Sequence, residues 1–593
     1  MRLHQLSVSA VLTAFAAHCA IASHAVSAPA PLVRCGAQSV FEMLATRCIC
    51  APCQLCHFDF LLLECVATLN DTSVEPSSAV LPLTIEQKPP PRFEQPSLDP
   101  VEWFLTQDEI TRSRGGIPRR GFATFTEGNS VDTFTTTDRF FASVYRDVES
   151  LRGPGQLFVT DWEIMNVPFT PRSPDFEFSR FKPVMQRAMD RGVNVSVLVW
   201  TNLFHPHDMS VLQTWVNGQE RGTWLFDDRL PWLTSSHHQK TLVMSSSDIQ
   251  MAYVGGIDLT WDRWDTRFHN ETKLRHQTGI TGYYDGWIDA SLRLQGPAVG
   301  DVATNFVERW NDDQVPLQDS IEFSNPTTHG KIKSIVLTNR TNETRGSVSL
   351  QITRTFSCKQ GNGGYATAPK GEVSIFMARL KAIRQARNFV YVEDQYFIHV
   401  PQLQAALLEV LPRIHALVIV TQDPPFSTSV AGYEVLLYRM LQPLLTQFPN
   451  KVYAFAPRKA MGLYVHSKVL IVDDVFLSVG SANWNRRSMT SDSEITANVV
   501  DRSVDTNTPD GITAAHLARQ FRLEKFSELS GHIVDELAHL TFLESLQLLT
   551  TRAADASGRS VATQLHIDRS LYFSAYPSGF EDQADPQDLC VEL

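Results

Sequence analysis

Two stretches of this chain, 466 − 238 = 228 residues apart, carry the same histidine–x–lysine pattern at the head of an apolar strand, and this repetition constrains the fold most. The first runs His238-Gln-Lys240 into TLVM and the second His466-Ser-Lys468 into VLIV. The same order of elements precedes each. QLFVTDWEI, FSRFKPVMQRAMDRG and VNVSVLVW read as strand, amphipathic helix and strand, and NFVYVEDQYFI, LQAALLEVLPRIH and ALVIVTQ repeat that order. Strand–helix–strand repetition predicts an α/β fold, a duplicated unit with two mainly parallel sheets flanked by helices. Two copies of one unit bring equivalent strands together at a pseudo-two-fold axis, so the motifs are expected to meet.

Side chains two apart on a strand share a face, so His466 and Lys468 point one way while Val469 and Ile471 face the core. Asp473-Asp474 reads as a turn, after which VFLSVGSANW returns with Ser481 and Asn483 again two apart. Such a hairpin presents imidazole, ammonium, hydroxyl and amide to one spot. A phosphodiester needs that set. Its non-bridging oxygens require a cation and donors, and its transfer is otherwise limited by positioning a nucleophile and an acid.

His466-x-Lys468-x4-Asp473-x6-Gly480-Ser481-x-Asn483 resembles the phospholipase D signature, and Glu494 in DSEI stands where that family has a carboxylate orienting the histidine. The first copy departs from the pattern, with Ser245 where an aspartate is expected. Asp248 keeps the six-residue spacing to Gly255-Gly256, which predicts three extra residues in the hairpin turn and unchanged faces on its strands. SHHQK, GGIDLTWDRWD, WIDASLRLQGPAV with NFVERW, and VYVEDQYF are similar to the eukaryotic phosphatidylcholine-cleaving branch, over roughly residues 101 to 545. Asp394 and Ile288 depart from the asparagine and histidine usual there.

The resemblance implies catalytic roles for His238, Lys240, His466, Lys468, Asp473, Asn483, Glu494 and Asp248, and for Asp265 in preference to Asp289 as the carboxylate orienting His238. It places Ser481, Gly256, Asp258 and Gln395 on the substrate. His238 attacks phosphorus to give a phosphohistidine, and His466 protonates the departing alcohol and then deprotonates water. No metal or cofactor is implied, since Lys240 and Lys468 supply the cationic charge. The implied substrate is a glycerophospholipid of phosphatidylcholine type at a membrane surface, with head-group exchange when another alcohol replaces water. A nuclease using the same motifs and a lipid-binding homologue impaired by the altered first motif are the alternatives. The formal charge of −12 argues against a general nucleic-acid binder.

Composition divides the remainder. Residues 1–28 read as a secretory signal, with Arg2 before an apolar run and Val26-Ser27-Ala28 as the cleavage site; the run is too short to span a membrane. Residues 29–66 carry Cys35, Cys48, Cys50, Cys53, Cys56 and Cys65, an even cluster that predicts a small disulfide-rich segment in an extracellular protein. Leftover parity pairs Cys358 with Cys590. Residues 67–100 are a Pro/Ser-rich linker, 101–325 and 346–545 the two halves, 326–345 a polar connection and 546–593 a tail without a motif. Glycosylation sequons stand at Asn70, Asn194, Asn270, Asn339 and Asn342; Asn194 falls in an apolar strand, which leaves Asn339 and Asn342 the better acceptors. Trp215, Trp224, Phe226 and Trp232 suit either a lipid interface or ordinary core packing. His205 with His207 reads as a polar loop, and Arg486-Arg487 as an extension of the phosphate field or a solvated pair.

Overall fold

The computed structural model describes residues 92–201, 207–231, 235–313, 329–335, 346–359, 365–423, 432–555, 558, 560–567 and 585–587. The expected signal, the cysteine-rich segment and most of the linker lie outside these residues, as do Asn339, Asn342, His205 and Trp232. No helix among the described residues is long and apolar enough to cross a membrane.

The first half supplies β1 (Thr126–Phe134), β2 (Gly155–Asp161), β3 (Val193–Trp200), β4 (Gly222–Asp227), β5 (Thr241–Ser245), β6 (Gln250–Gly255), β7 (Gly286–Ile288) and β8 (Ser291–Gln295). The second supplies β9 (Val348–Phe356), β10 (Glu372–Val373), β11 (Phe389–Asp394), β12 (Ala416–Val420), β13 (Val452–Pro457), β14 (Leu463–Val465), β15 (Lys468–Val472), β16 (Phe476–Gly480) and β17 (Glu494–Asp501). A ribbon of β18 (Val504–Asp505) and β19 (Ala514–Ala515) follows, then β20 (Ala562–Gln564).

Two mainly parallel sheets are not what forms. A single 16-stranded mixed sheet runs β20-β13-β12-β11-β15-β16-β17-β9-β1-β8-β6-β5-β2-β3-β4, with β10 beside β9. Parallel pairing within it is confined to β2–β3–β4 and β11–β12–β13; every other pairing is antiparallel. The strand–helix–strand runs are the parallel part, as expected. The motif hairpins and the strands after them return directly, and a direct return can only pair antiparallel. Read outward from the β9–β1 seam, the order β17-β16-β15-β11-β12-β13 on one side answers β8-β6-β5-β2-β3-β4 on the other.

Alternation along the strands sorts their side chains into three cores. Leu157 and Val159 of β2 pack outward against Phe141, Val144 and Val184 of helices Thr137–Ser150 and Phe181–Asp190. Val390 and Val392 of β11 do the same against Phe376, Leu403 and Met440 of helices Ser374–Gln385, Pro401–Val410 and Tyr433–Gln447. Between the halves lies a shared core of Phe158, Tyr391, Leu477 and Val479, joined by Phe306 of helix Ala298–Trp310 and Phe526 of helix His516–Ser530. Phe158 and Phe306 stack at 4.6 Å. Truncating either to alanine should cost roughly 3–5 kcal/mol.

The ends of the described chain are docked. Phe93, inside the expected linker, is buried and stacks on His415 at 4.8 Å. In the expected tail, β20 adds to the edge of β13. Trp224 and Phe226 are fully buried in the first half's outer core, and Trp215 is half-buried against it. Arg487 faces Asp492 and Asp585 across 3.9 Å, which accounts for its charge within the fold. Asn270 is exposed and Asn194 half-buried at the start of β3. Cys358 is disulfide-bonded, and Cys590 lies outside the described residues.

Candidate active site

Both motif hairpins form. Around β15–β16, Asp473 and Asp474 take positive φ values of 54° and 52°, the conformation a tight hairpin turn demands and short polar side chains tolerate. In the first copy Ser245 pairs with Gln250, leaving four residues to turn; Val472 pairs with Phe476, leaving three. The three extra residues are one more ladder pair and one more turn residue. Thr241 therefore still faces Val254 as Val469 faces Val479, and His238 and Lys240 keep their orientation.

The rings of His238 and His466 lie 6.3 Å apart, centroid to centroid, at 68° to each other. They are buried without being sealed, with 9% and 5% of their surface exposed. The two halves are stitched together beside them. His238 N donates to Ser493 O at 2.9 Å, and His466 N donates to Ile288 O at 2.8 Å. Each histidine is thus hydrogen-bonded to the residue preceding a carboxylate of the other half.

Those carboxylates take the outward ring nitrogens. His238 Nδ1 stands 3.2 Å from Glu494 Oε1 and 2.9 Å from the Ser481 carbonyl oxygen. A carbonyl only accepts, so Nδ1 carries the proton and Nε2 keeps its lone pair for the site. His466 Nδ1 stands 2.7 Å from Asp289 Oδ2. Glu494 therefore orients His238, not the histidine of its own half. Asp265 does not orient His238: it binds His269 Nδ1 at 2.6 Å and accepts from Trp287 N at 2.8 Å. Register could have exposed the partner of His466, since Ser291 pairs with Gly255 and Thr496 with Gly480, which makes Asp289 the counterpart of Glu494.

Two further expectations fail. Asp473 lies beyond the end of β15, at the far end of the strand from Lys468, and clamps backbone by accepting from Arg387, Asn388 and Phe389 N at 2.6–2.8 Å. Asp248 is exposed in the β5–β6 turn. Neither reaches the histidines, because a turn residue sits several 3.3 Å steps from the head of its strand.

Most of the remaining residues lie around the two histidines, whereas Ser481, expected on the substrate, is turned to Glu494 instead. Lys240 Nζ is 3.0 Å from Asp258 Oδ1; Lys468 Nζ donates to Gln395 Oε1 at 3.1 Å. Asp258 also holds Arg263 at 3.2 Å and stands 3.9 Å from His466 Nε2. Ser481 turns away from the cleft: its hydroxyl donates to Glu494 Oε2 and accepts from Ile495 N. Asn483 is buried with an amide oxygen lacking a hydrogen-bond partner. A Cβ on Gly256 would come within 2.2 Å of Asp289 Oδ1, so only glycine lets that carboxylate approach. The departures also have places. Asp394 accepts from Tyr396, Phe397 and Trp484 N, and Ile288 is core. Sequence reasoning missed Arg263 and the wall behind His466, in which Trp287 lies 5.2 Å from the imidazole and Tyr464 4.9 Å from Trp287.

Burial and then Lys240 lower the His238 pKa, with Glu494 acting the other way. Burial, Lys468 and Arg263 hold His466 well below the usual imidazole range. Burial lowers Lys468 to about 8 against the pull of Asp289, and burial raises Asp289 to about 7. The site is a buried cluster in which Lys240, Lys468 and Arg263 stand among Asp258, Asp289 and Glu494, and burial disfavours the charged form of both imidazoles.

Two family models match the chain: Phospholipase D over residues 171–406, and Cardiolipin synthase, PLD-like domain, over residues 380–522. Phospholipase D A of Dictyostelium discoideum is 26% identical over 489 residues, covering 68% of this chain and 36% of the relative. Phospholipase D alpha 2 of Oryza sativa subsp. japonica is 26% identical over 452 residues, covering 58% and 54%. The chain thus spans about a third to a half of the length of these curated relatives. The phosphatidylserine synthase of Haemophilus influenzae Rd KW20 superposes with a TM-score of 0.46 at 11% identity, over 77% of this chain and 93% of that one. The two matches overlap over residues 380–406 and together span both histidine motifs, so the chain carries domains of the phospholipase D superfamily.

Proposed function

We propose that this protein is a secreted phospholipase D, cleaving the distal phosphodiester bond of glycerophospholipids of phosphatidylcholine type to phosphatidic acid and a free head group. Two copies of one unit supply one histidine each. The observation that carries the reading is the pair of imidazoles 6.3 Å apart, each with a carboxylate from the other half on its outer nitrogen.

His238 Nε2 attacks phosphorus as the bond to the head-group oxygen breaks, and the His466–Asp289 pair, which holds one proton because burial raises Asp289 to about 7, gives that oxygen its proton through His466 Nε2. The phosphatidyl group then rests on His238. His466, now neutral, takes a proton from water, whose oxygen forms the new bond to phosphorus while the P–N bond breaks. Lys240 and Lys468 offset charge on the non-bridging oxygens. An alcohol in place of water gives head-group exchange. Both motifs present histidine and lysine to the same spot, which favours catalysis over a purely lipid-binding role.

Purified protein should release choline from phosphatidylcholine vesicles and, with ethanol added, form phosphatidylethanol. Cleavage of single-stranded DNA with no phosphatidylethanol would replace this reading with the nuclease.

A further inference from the structure

The doubled histidine of the first motif leaves His237 without a part in this chemistry, although its ring is fully enclosed among polar partners. His237 and His238 point to opposite sides of an extended segment. His238 faces the site; His237 Nδ1 lies 2.6 Å from Ser493 Oγ and its Nε2 3.0 Å from Asp227 Oδ1. Asp227 is itself held by Arg229 and Arg309 at 2.8 Å each. Despite burial, these cations and His237 keep it well below the carboxylate range. The nitrogen facing that carboxylate carries the ring proton, so Nδ1 accepts from the Ser493 hydroxyl. Ser493 comes from the second half and directly precedes Glu494. On the other flank of His238, Gln239 Nε2 donates to Glu494 O at 3.1 Å, and Gln239 Oε1 accepts from Arg309 at 3.0 Å.

The equivalent junction at the other histidine is built differently. Val465 precedes His466, and β14 pairs with β7 over three residues to bring Ile288 and then Asp289 alongside. Around the first histidine the only cross-half pairing of this kind among the described residues is the isolated bridge His237↔Ser493. That bridge rests on two backbone hydrogen bonds, His238 N to Ser493 O and Ser493 N to Ser236 O, whereas the β14–β7 ladder pairs three residues. We propose that His237 is a positioning residue: through Asp227–His237–Ser493 it takes the place of the missing ladder and sets where Glu494 meets His238.

This rests on the proposed phosphodiesterase reading, which is checked first. In the full-length protein, His237→Leu and Ser493→Ala should each lower kcat about 10- to 100-fold with KM little changed, the usual cost of loosening a supporting contact. Because Glu494 raises the His238 pKa, both should also move the acid limb of kcat/KM to lower pH and leave the alkaline limb in place. Ser493→Thr, which keeps the hydroxyl, should restore both. In a Glu494→Gln background His237→Leu should change kcat less than about twofold, since coupled groups are not additive. A folded His237→Leu with wild-type kcat and pH profile, or a full further loss in the Glu494→Gln background, overturns the proposal. If His237→Leu does not fold, Ser493→Ala with its threonine control carries the test. Should the wild type turn over no phosphodiester, the functional reading fails separately. The inference is then read from the His238 titration in 15N-histidine-labelled protein, where an unmoved pKa in Ser493→Ala overturns it and a lowered one supports it.

Discussion

His238 and Glu494 come from opposite halves, 256 positions apart, yet meet at 3.2 Å through the outer ring nitrogen, while Asp289 returns the arrangement to His466 at 2.7 Å. Neither motif histidine takes its carboxylate from its own half. Catalysis should therefore depend on the junction between the halves as strictly as on the motifs.

Glu494→Gln and Asp289→Asn should each lower kcat by roughly 10²- to 10⁴-fold, the range for losing the tautomer and the positioned proton. Glu494→Gln should suppress the phosphohistidine on His238. Rapid-quench trapping with labelled lipid, followed by peptide mapping, measures this. Equal trapping in both variants and the wild type would contradict the exchange of partners.

The alkaline limb of kcat/KM should begin near pH 7 with the proton of the His466–Asp289 pair and steepen through about 8 as Lys468 loses its own, since kcat/KM reports the free enzyme. Lys468→Arg keeps its charge at that pH and should shift the limb upward at reduced rate. An unmoved limb assigns it to another group.

Gly256→Ala should cost turnover without unfolding the protein. Its Cβ would fall 2.2 Å from Asp289 Oδ1, and the side chain can swing aside only by releasing His466. A loss of about 10²-fold in kcat with an unchanged urea midpoint is expected. Wild-type turnover would show that Asp289 tolerates displacement.

The two motif aspartates should differ in stability. Asp473→Ala strips acceptors from three backbone N–H groups and should cost about 3 kcal/mol, whereas exposed Asp248→Ala should stay within about 0.5 kcal/mol. Urea unfolding of the two variants compares them directly.

Stability should also fall as pH rises through about 9. Despite burial, bonds to Asp265 and Glu528 raise His269 from 6.5 to about 9. A raised folded pKa contributes stability that is complete below the unfolded value of about 6.5 and lost as pH climbs through the folded one. The contribution is about 3 kcal/mol at its fullest. His269→Gln should flatten the pH dependence of the urea midpoint between pH 6 and 9.5. Parallel curves would assign it elsewhere.

Local spacing alone determined which residues can act together within a strand. His-x-Lys puts imidazole and ammonium on one face, and a repeated strand–helix–strand order implies two such faces in one molecule. The parallel strands, both hairpins and the meeting of His238 with His466 were legible on that basis. Partnerships between strands far apart in the chain were not. Which carboxylate serves which histidine depends on register across the junction, where Ser493 lies beside His237 and Ile288 beside Val465. Asp473 and Asp265 matched a motif in one dimension, but folding directed them to backbone and to His269. Sequence separation carries no information about such contacts, because packing and hydrogen bonding between segments decide them only once the chain has closed.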